Sequence, residues 1–438
     1  MNPVGFFQIS LPPELKMLPE NVYGDVHNVF IATWHQLTSL ISRVRKCQNL
    51  EDYYLLQEEL GSYILQVDSE IGSAKVASYQ AKKEINKIGN NADEKQYFLE
   101  KKNEADLKRQ LYLFIGKQYR TVGDAMVWRL YQYDAHLISS LGMNQSPGII
   151  SQSKGTGVLA EESEVRKYWE QEAAFALRHD YTNCLRVSDL SIFRNGSNQV
   201  ELKEVKASPK KKKSSQKIIQ RRAVKFAQDR VTTVENNFVY SPSILSTEDK
   251  GEILSTMQLL SEAVHQAIEE GIGSRVGKHI EILAYNVPRC AREPDLQQRL
   301  WQINDTRPPL TIQPCSEDYI IARGLDRVKN PTFIAPYSIY PLPPEVAAAL
   351  TVGLIDIQVR LNVQVIIDAF LEHGFDASCS TSIWRQNGLQ HGDPEIGNPY
   401  FVSFQKRRVR KHEKAAVAQD PCKRRPGMGG LTVGEVWS

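Results

Sequence analysis

From Leu50 to Lys87, and again from Ala92 to Leu141, the chain runs in Glu/Lys/Leu/Gln-rich stretches of helical character, each far longer than the mean globular helix. Asn90-Asn91, after Gly89, marks the turn between them. Ahead of both, Ile31, Trp34, Leu37, Leu40, Ile41 and Val44 recur at helical spacing. Helices of this length must bury their apolar stripes on one another. The first 145 residues therefore predict a helical bundle or hairpin, a module suited to packing, self-association or binding a protein partner. The Gly/Ser-rich stretch from Ser146 to Gly157 (SPGIISQSKGTG) then marks a domain edge.

Beyond that edge the pattern changes. Glu161 to Ala176 predicts a short helix, Leu185 to Phe193 (LRVSDLSIF) a strand, Asn195-Gly196 a hairpin turn, and Gln199 to Lys206 (QVELKEVK) a second strand. A basic helix from Gln216 to Val231, a helix from Glu252 to Glu270 and an apolar strand from His279 to Val287 follow. This mixture predicts an α+β, or mixed, fold with a central α/β core between N-terminal and C-terminal helical regions. After Pro288 come proline-rich connections and then an apolar helix from Pro344 to Glu372. Asp356, Arg360 and Asp368 interrupt it, so it reads as a core helix and not a membrane span. The expected divisions are 1–150 helical, 151–290 core, 291–400 mixed and helix-containing, and 401–438 a basic, poorly ordered tail.

With 438 residues, 41% hydrophobic and 24% charged, the composition is that of a globular chain, which excludes collagenous, wholly disordered and integral-membrane classes. The start, MNPVGFFQISLPPELK, lacks the pattern of a secretory signal, and the six cysteines are scattered with no C-x-x-C pair. A reduced, cytoplasmic setting is expected. The net charge of +3 hides two cationic segments. Lys203 to Arg230 holds 11 Lys and Arg against Glu204 and Asp229, or +9, and Lys406 to Arg425 holds 9 against Glu413 and Asp420, or +7, leaving −13 for the rest. An acidic body with cationic patches suits a polyanionic partner, because neutralised phosphates release counterions. A charge run is also what a solvated loop or tail looks like, and for the C-terminal run that reading is at least as good.

The first cationic segment lies beside a candidate catalytic constellation. Strand alternation puts Val200, Leu202, Glu204 and Lys206 on one face of the second strand, with Glu201, Lys203 and Val205 on the other. Charges at the end of an otherwise apolar face are costly to bury unless they are paired or ligate a metal, and Asp189 on the neighbouring strand is a natural third member. In the competing register, Glu201-Leu202-Lys203, only Val205 supplies an apolar partner on that face. Carboxylate oxygens suit a hard, octahedral Mg²⁺ that keeps several waters. Such an ion polarises a phosphoryl oxygen and lowers the pKa of its bound water.

Asp189, a hairpin, Glu204-Val205-Lys206 and a basic helix together resemble the PD-(D/E)XK nuclease superfamily, with its restriction-endonuclease-like core, over about residues 160 to 290. The resemblance implies a metal-dependent nuclease acting on DNA, with RNA not excluded, in defence against foreign nucleic acid or in nucleic-acid processing, with Mg²⁺ or Mn²⁺ as cofactor. By that resemblance Asp189 and Glu204 bind the metal and Lys206 is the catalytic lysine. Glu172, or else Glu170, on the preceding helix and Gln220, or else Gln216, on the basic helix join the site. Lys210, Lys211, Lys212, Lys213, Lys217, Arg221, Arg222 and Lys225 are the expected nucleic-acid contacts. Ser188 stands where the family often has proline. A non-catalytic nucleic-acid-binding or scaffold protein on the same fold is the alternative.

Other chemistries have no support in the sequence. None of the nine histidines has zinc-site spacing, there is no G-x-x-x-x-G-K-[ST] and no G-x-S-x-G, and Gly271-Ile-Gly273 follows a helix and so ends it. Tyr168 and Trp169, on a short amphipathic helix, read as packing residues in preference to a base-stacking pair.

Overall fold

The computed structural model describes residues 20–88, 91–134, 137–138, 141–142, 156–196, 200–205, 247–277, 280–305, 319–323, 336–362, 375–381 and 400–406. The protein is a mixed helix and sheet fold. Its helices are α1 (Glu20–Lys46), α2 (Leu50–Ile85), α3 (Ala92–Leu130), α4 (Thr156–Glu172), α5 (Thr247–Glu270), α6 (Val287–Arg292), α7 (Pro294–Asp305) and α8 (Pro344–Val352). Its strands are β1 (Ala174–Arg178), β2 (Leu190–Arg194), β3 (Glu201–Lys203), β4 (Ile272–Val276), β5 (Ile280–Asn286), β6 (Tyr319–Arg323), β7 (Ile355–Asn362), β8 (Phe375–Thr381) and β9 (Tyr400–Lys406). Among the described residues, no helix is long and apolar enough to cross a membrane.

The long N-terminal helices form as their sequence requires. Asn49 and Asp52 close a reciprocal capping box at the start of α2, and the Asn91 side chain accepts from the Glu94 N–H at the start of α3. At 1.5 Å per residue the two helices run about 54 and 58 Å. They pair as an antiparallel hairpin, with Leu56, Leu60, Ile64 and Ile71 of α2 meeting Leu111, Ile115 and Val122 of α3 in the core.

A three-stranded antiparallel sheet, in the order β1-β2-β3, lies on the basal part of this hairpin. Ala176 pairs with Ile192, and Ser191 with Leu202. Period-2 alternation splits its residues cleanly. Phe175, Leu177, Phe193 and Leu202 join the main core on the hairpin side, while Ala174, Ala176, Leu190 and Ile192 pack with Val165 and Tyr168 of α4 on the other. β1 was not foreseen from the sequence. The expected helix from Glu161 to Ala176 instead ends at Glu172, and Ala173 takes a positive φ of 49° before the chain enters β1.

A second sheet, antiparallel in the order β4-β5-β7-β6, packs with α5 and α8, and β8 and β9 form a separate ribbon. The strand expected from His279 to Val287 is β5, and it belongs to this second sheet and not to β1-β2-β3. The expected helix from Pro344 to Glu372 is corrected. Gly353, at φ 74°, ends α8 in the left-handed region, and the alternating IDIQVRLN that follows forms β7. β9 lies at the head of the expected tail, and residues 407–438 lie outside the described residues.

One core joins these parts. Its buried residues run from Phe30 through the α2–α3 hairpin and one face of β1-β2-β3 to Val346 and Ile357. The Arg45 guanidinium donates to the Ser338, Tyr340 and Leu342 carbonyls, and the Trp34 Nε1–H donates to the Glu345 carbonyl at 2.8 Å, tying α1 to the C-terminal half. The expected boundaries near 150 and 290 thus divide the chain without dividing the core.

Candidate functional site

The helical hairpin positions the sheet through polar contacts that no local sequence pattern announces. Gln57 of α2 donates from Nε2 to the Ala176 carbonyl (3.0 Å) and accepts from the Arg178 N–H (2.9 Å). Its carboxamide therefore continues the ladder at the β1 edge, where unpaired backbone would otherwise be buried. From α3, Asp124 accepts from the Asn183 and Cys184 N–H groups (2.6 and 3.0 Å) and from Asn183 Nδ2 (3.0 Å), fixing the loop between β1 and β2. Gly123 is required beside it, because a Cβ there would run into the Tyr181 carbonyl. Arg120 Nε donates to the Asp180 carbonyl at 2.9 Å.

This bracing gathers carboxylates at one end of the sheet. Arg178, the last residue of β1 with 4% of its side chain exposed, forms a bidentate pair with Asp180 (2.9 and 3.1 Å). It also reaches Glu161 at 3.4 Å and Glu162 at 3.8 Å, and its guanidinium lies over the Tyr181 ring. Asp189 stands just before β2. Its backbone bonds both neighbours, donating to the Lys203 carbonyl (3.2 Å) and accepting from the His179 N–H (3.0 Å), and its Oδ2 accepts from the Val205 N–H at 2.6 Å. Glu204 follows β3 with its side chain exposed.

The electrostatics agree with a crowded acidic site. Burial pushes the Asp189 carboxyl above its usual range, the Val205 N–H opposes, and the charges of Glu204 and Asp180 push it further up. Glu161 is pushed up to about 7, chiefly by burial and by Asp180, with Arg178 opposing and Asp189 and Glu162 adding to the rise. Both shifts have the same two causes, burial and neighbouring negative charge, and a cation placed among these groups would oppose both.

Of the residues expected from the sequence, Asp189 and Glu204 are brought together. The face assignment of β3 also holds, with Val200 and Leu202 against the main core and Lys203 and Val205 on the α4 side. Glu201 is not part of the site. It pairs across from Ile192 and binds Arg194 at 3.0 Å, away from Asp189. Lys203 is taken by Glu164 (2.7 Å) and the Tyr168 hydroxyl (2.9 Å), hydrogen bonds that raise its pKa. Glu172 is not in the site either, since it binds Arg194 at 3.0 Å at the opposite end of β2, and Glu170 is exposed on the same distal stretch of α4. The helix carboxylate that reaches the cluster is Glu161, which the sequence reading missed. Tyr168 is buried and Trp169 stacks on Tyr54 at 4.4 Å, so both are packing residues. Lys206, Gln216, Gln220, Lys210 to Lys213, Lys217, Arg221, Arg222 and Lys225 lie outside the described residues.

A hard divalent cation fits this donor chemistry. Mg²⁺ commonly takes one or two carboxylates and fills its remaining positions with water, and Asp189 and Glu204 supply two oxygen donors whose mutual repulsion a cation would relieve. Among the described residues, no three His, Cys, Asp or Glu side chains stand close enough to hold a metal by themselves. Comparison with protein families, with curated proteins and with solved structures returns no match to this chain.

Proposed function

We propose that this protein is a metal-dependent nuclease whose α4-β1-β2-β3 unit serves as a PD-(D/E)XK-type core, acting on DNA or RNA in the cytoplasm. The observation that carries the reading is the convergence of Asp189 and Glu204 on one end of the sheet, with the raised Asp189 and Glu161 carboxyls beside them. In this reading Asp189 and Glu204 hold Mg²⁺ or Mn²⁺. The ion supplies an activated water and offsets charge on the phosphoryl group. The Val205 N–H bond to Oδ2 fixes the Asp189 carboxylate and leaves Oδ1 for the ion. Arg178 holds Asp180 and Glu161, which limits the negative charge that the substrate phosphate meets. Lys206, two residues after Glu204, takes the role of the catalytic lysine.

The test is cleavage of labelled single- and double-stranded DNA and RNA with Mg²⁺, Mn²⁺ or EDTA. Metal-dependent cleavage that disappears in Asp189→Asn and in Lys206→Ala, with unchanged melting, supports the reading. Cleavage retained in both variants overturns it. A second reading, a non-catalytic nucleic-acid-binding or scaffold protein, draws on one observation, the lack of a three-ligand group among the described residues. It expects salt-sensitive binding that Asp189→Asn leaves intact and no cleavage with either metal.

A further inference from the structure

α2 seats the sheet and then outruns it. Along its length Tyr53 lies beside Phe175, Gln57 bonds Ala176 and Arg178, and Gly61 lies against the Tyr181 ring. α2 and β1 therefore run in the same direction, and the rest of α2 projects past the sheet at the end where Asp189 and Glu204 stand. At 1.5 Å per residue, Lys75 lies about 21 Å and Lys82 about 32 Å beyond Gly61.

The face that seats the sheet continues onto this projecting part. With 3.6 residues per turn, Tyr79 points in the same direction as Gly61, and Gln57, Asp68, Lys75 and Lys82 lie within about 60° of it. Past the sheet this face turns from buried to open. Tyr79 is 69% exposed, and Lys75, Lys82 and Lys83 are exposed. Among the described residues these four side chains have no hydrogen-bond, ion-pair or ring partner, whereas Lys87, Lys101, Lys102 and Lys108 are each bound to a carboxylate. The charge of the helix reverses at the same place. From Leu50 to Glu70 it carries Glu51, Asp52, Glu58, Glu59, Asp68 and Glu70 with no Lys or Arg, and beyond that Lys75, Lys82 and Lys83 against Glu84. The helix dipole accounts for basic residues in the last turn only. Lys75, ten residues before the end of α2, is outside its reach, as is an exposed tyrosine between two lysines.

We propose that the free end of the α2–α3 hairpin is an arm that holds the nucleic acid, with Lys75, Lys82 and Lys83 on backbone phosphates and the Tyr79 ring available for stacking on a base. The inference rests on the nucleic-acid reading above. Charge complementarity selects the partner, since unpaired cations interleaved with an exposed aromatic match a phosphodiester strand. At about 3.4 Å per nucleotide step, the arm meets the strand roughly six to nine nucleotides from the carboxylate end of the sheet.

The test is equilibrium binding by the full chain in EDTA, across a salt series. The probes are 30-nucleotide and 5-nucleotide labelled DNA and RNA, single- and double-stranded. In Lys75→Gln/Lys82→Gln the salt slope on the long probe should fall by about 1.4 on single strands and 1.8 on duplex, from 0.7 to 0.9 per phosphate contact. Tyr79→Ala should weaken single-strand binding about tenfold. Both variants should bind the 5-nucleotide probe as wild type does, and Lys46→Gln, at the far end of α1, should match wild type throughout. If wild type binds salt-sensitively and the arm variants follow it on the long probe, the arm is overturned and the nuclease reading stands. If wild type binds no probe at low salt, the nucleic-acid reading fails and the arm fails with it.

Discussion

Replacing Glu161 by Gln should stabilise the protein at pH 8 and leave it nearly unchanged at pH 4.5. The native carboxyl titrates near 7 against 4.5 for a free glutamate. Between these values the native state binds more protons at this position than the unfolded chain does. The stabilisation is fully present below pH 4.5 and is lost as pH rises through 7. A gap of 2.5 units corresponds to about 3.4 kcal/mol at 1.36 kcal/mol per unit. The side chain keeps 21% exposure, and solvent screening reduces the expected difference to about 1–2 kcal/mol. Gln keeps the shape and hydrogen-bonding capacity of the protonated acid but cannot ionise, so the variant escapes the loss. The assay is thermal or urea unfolding of wild type and variant in EDTA at pH 4.5, 6 and 8, read as the difference between them so that every other titrating group cancels. In a chain this long, each kcal/mol moves Tm by about 2 °C or less. A difference that does not grow with pH, or a variant less stable than wild type at pH 8, would refute the burial of Glu161 among carboxylates.

His179 has the opposite sign. Burial, with Arg186 nearby, lowers it to about 3, so its stabilising contribution is present above 6.5 and is lost as pH falls from 6.5 towards 3; His179→Gln should flatten that part of the acid-unfolding curve. Gln57→Leu should cost about 2–3 kcal/mol in urea unfolding, because the Arg178 N–H and Ala176 carbonyl at the β1 edge lose their partner. Gly123→Ala should destabilise by about 3 kcal/mol or more, since the loop carrying Tyr181 must move off α3. Glu172→Gln should leave metal-dependent cleavage within about twofold of wild type, its charge being engaged with Arg194 far from Asp189; a tenfold loss would return Glu172 to the site.

What the sequence shows clearly is what local physics writes. The length of α2, the start of α3 at its Asn91 cap, the Asn195-Gly196 hairpin and the alternation in β3 all depend on neighbours a few residues apart, and all stand in the structure. The stretch expected to run helical to Leu141 instead leaves the helix at Leu130, where Tyr131 caps it and Gln132 and Tyr133 take positive φ. β1 was invisible because Ala174–Arg178 is buried on both faces and has no alternation to display. The helix expected to run to Glu372 failed for a different reason. The α8 stretch is continuously apolar from Val346 to Leu350, but after Gly353 the apolar residues alternate with Asp356, Gln358, Arg360 and Asn362, a strand period that the helical reading ran through.

The misplacement of the helix carboxylate has a more general cause. Glu170 and Glu172 are candidates through the family resemblance, which places an acid of the preceding helix in the site, and they are the acids closest in sequence to β1. But α4 enters β1 through a tight connection at Ala173 and packs back along it, so helix and strand run in opposite directions. Residues next to the connection then sit at the start of β1, where Glu172 meets Arg194, and only residues about two to three turns further back come level with its end. Glu161 lies 11 residues before Glu172, about 16 Å along the helix, which matches the roughly 13 Å that β1 covers from Ala174 to Arg178. For any helix that folds back on a following strand, the residue that reaches the far end of that strand is set by matching these two rises, and here they select Glu161.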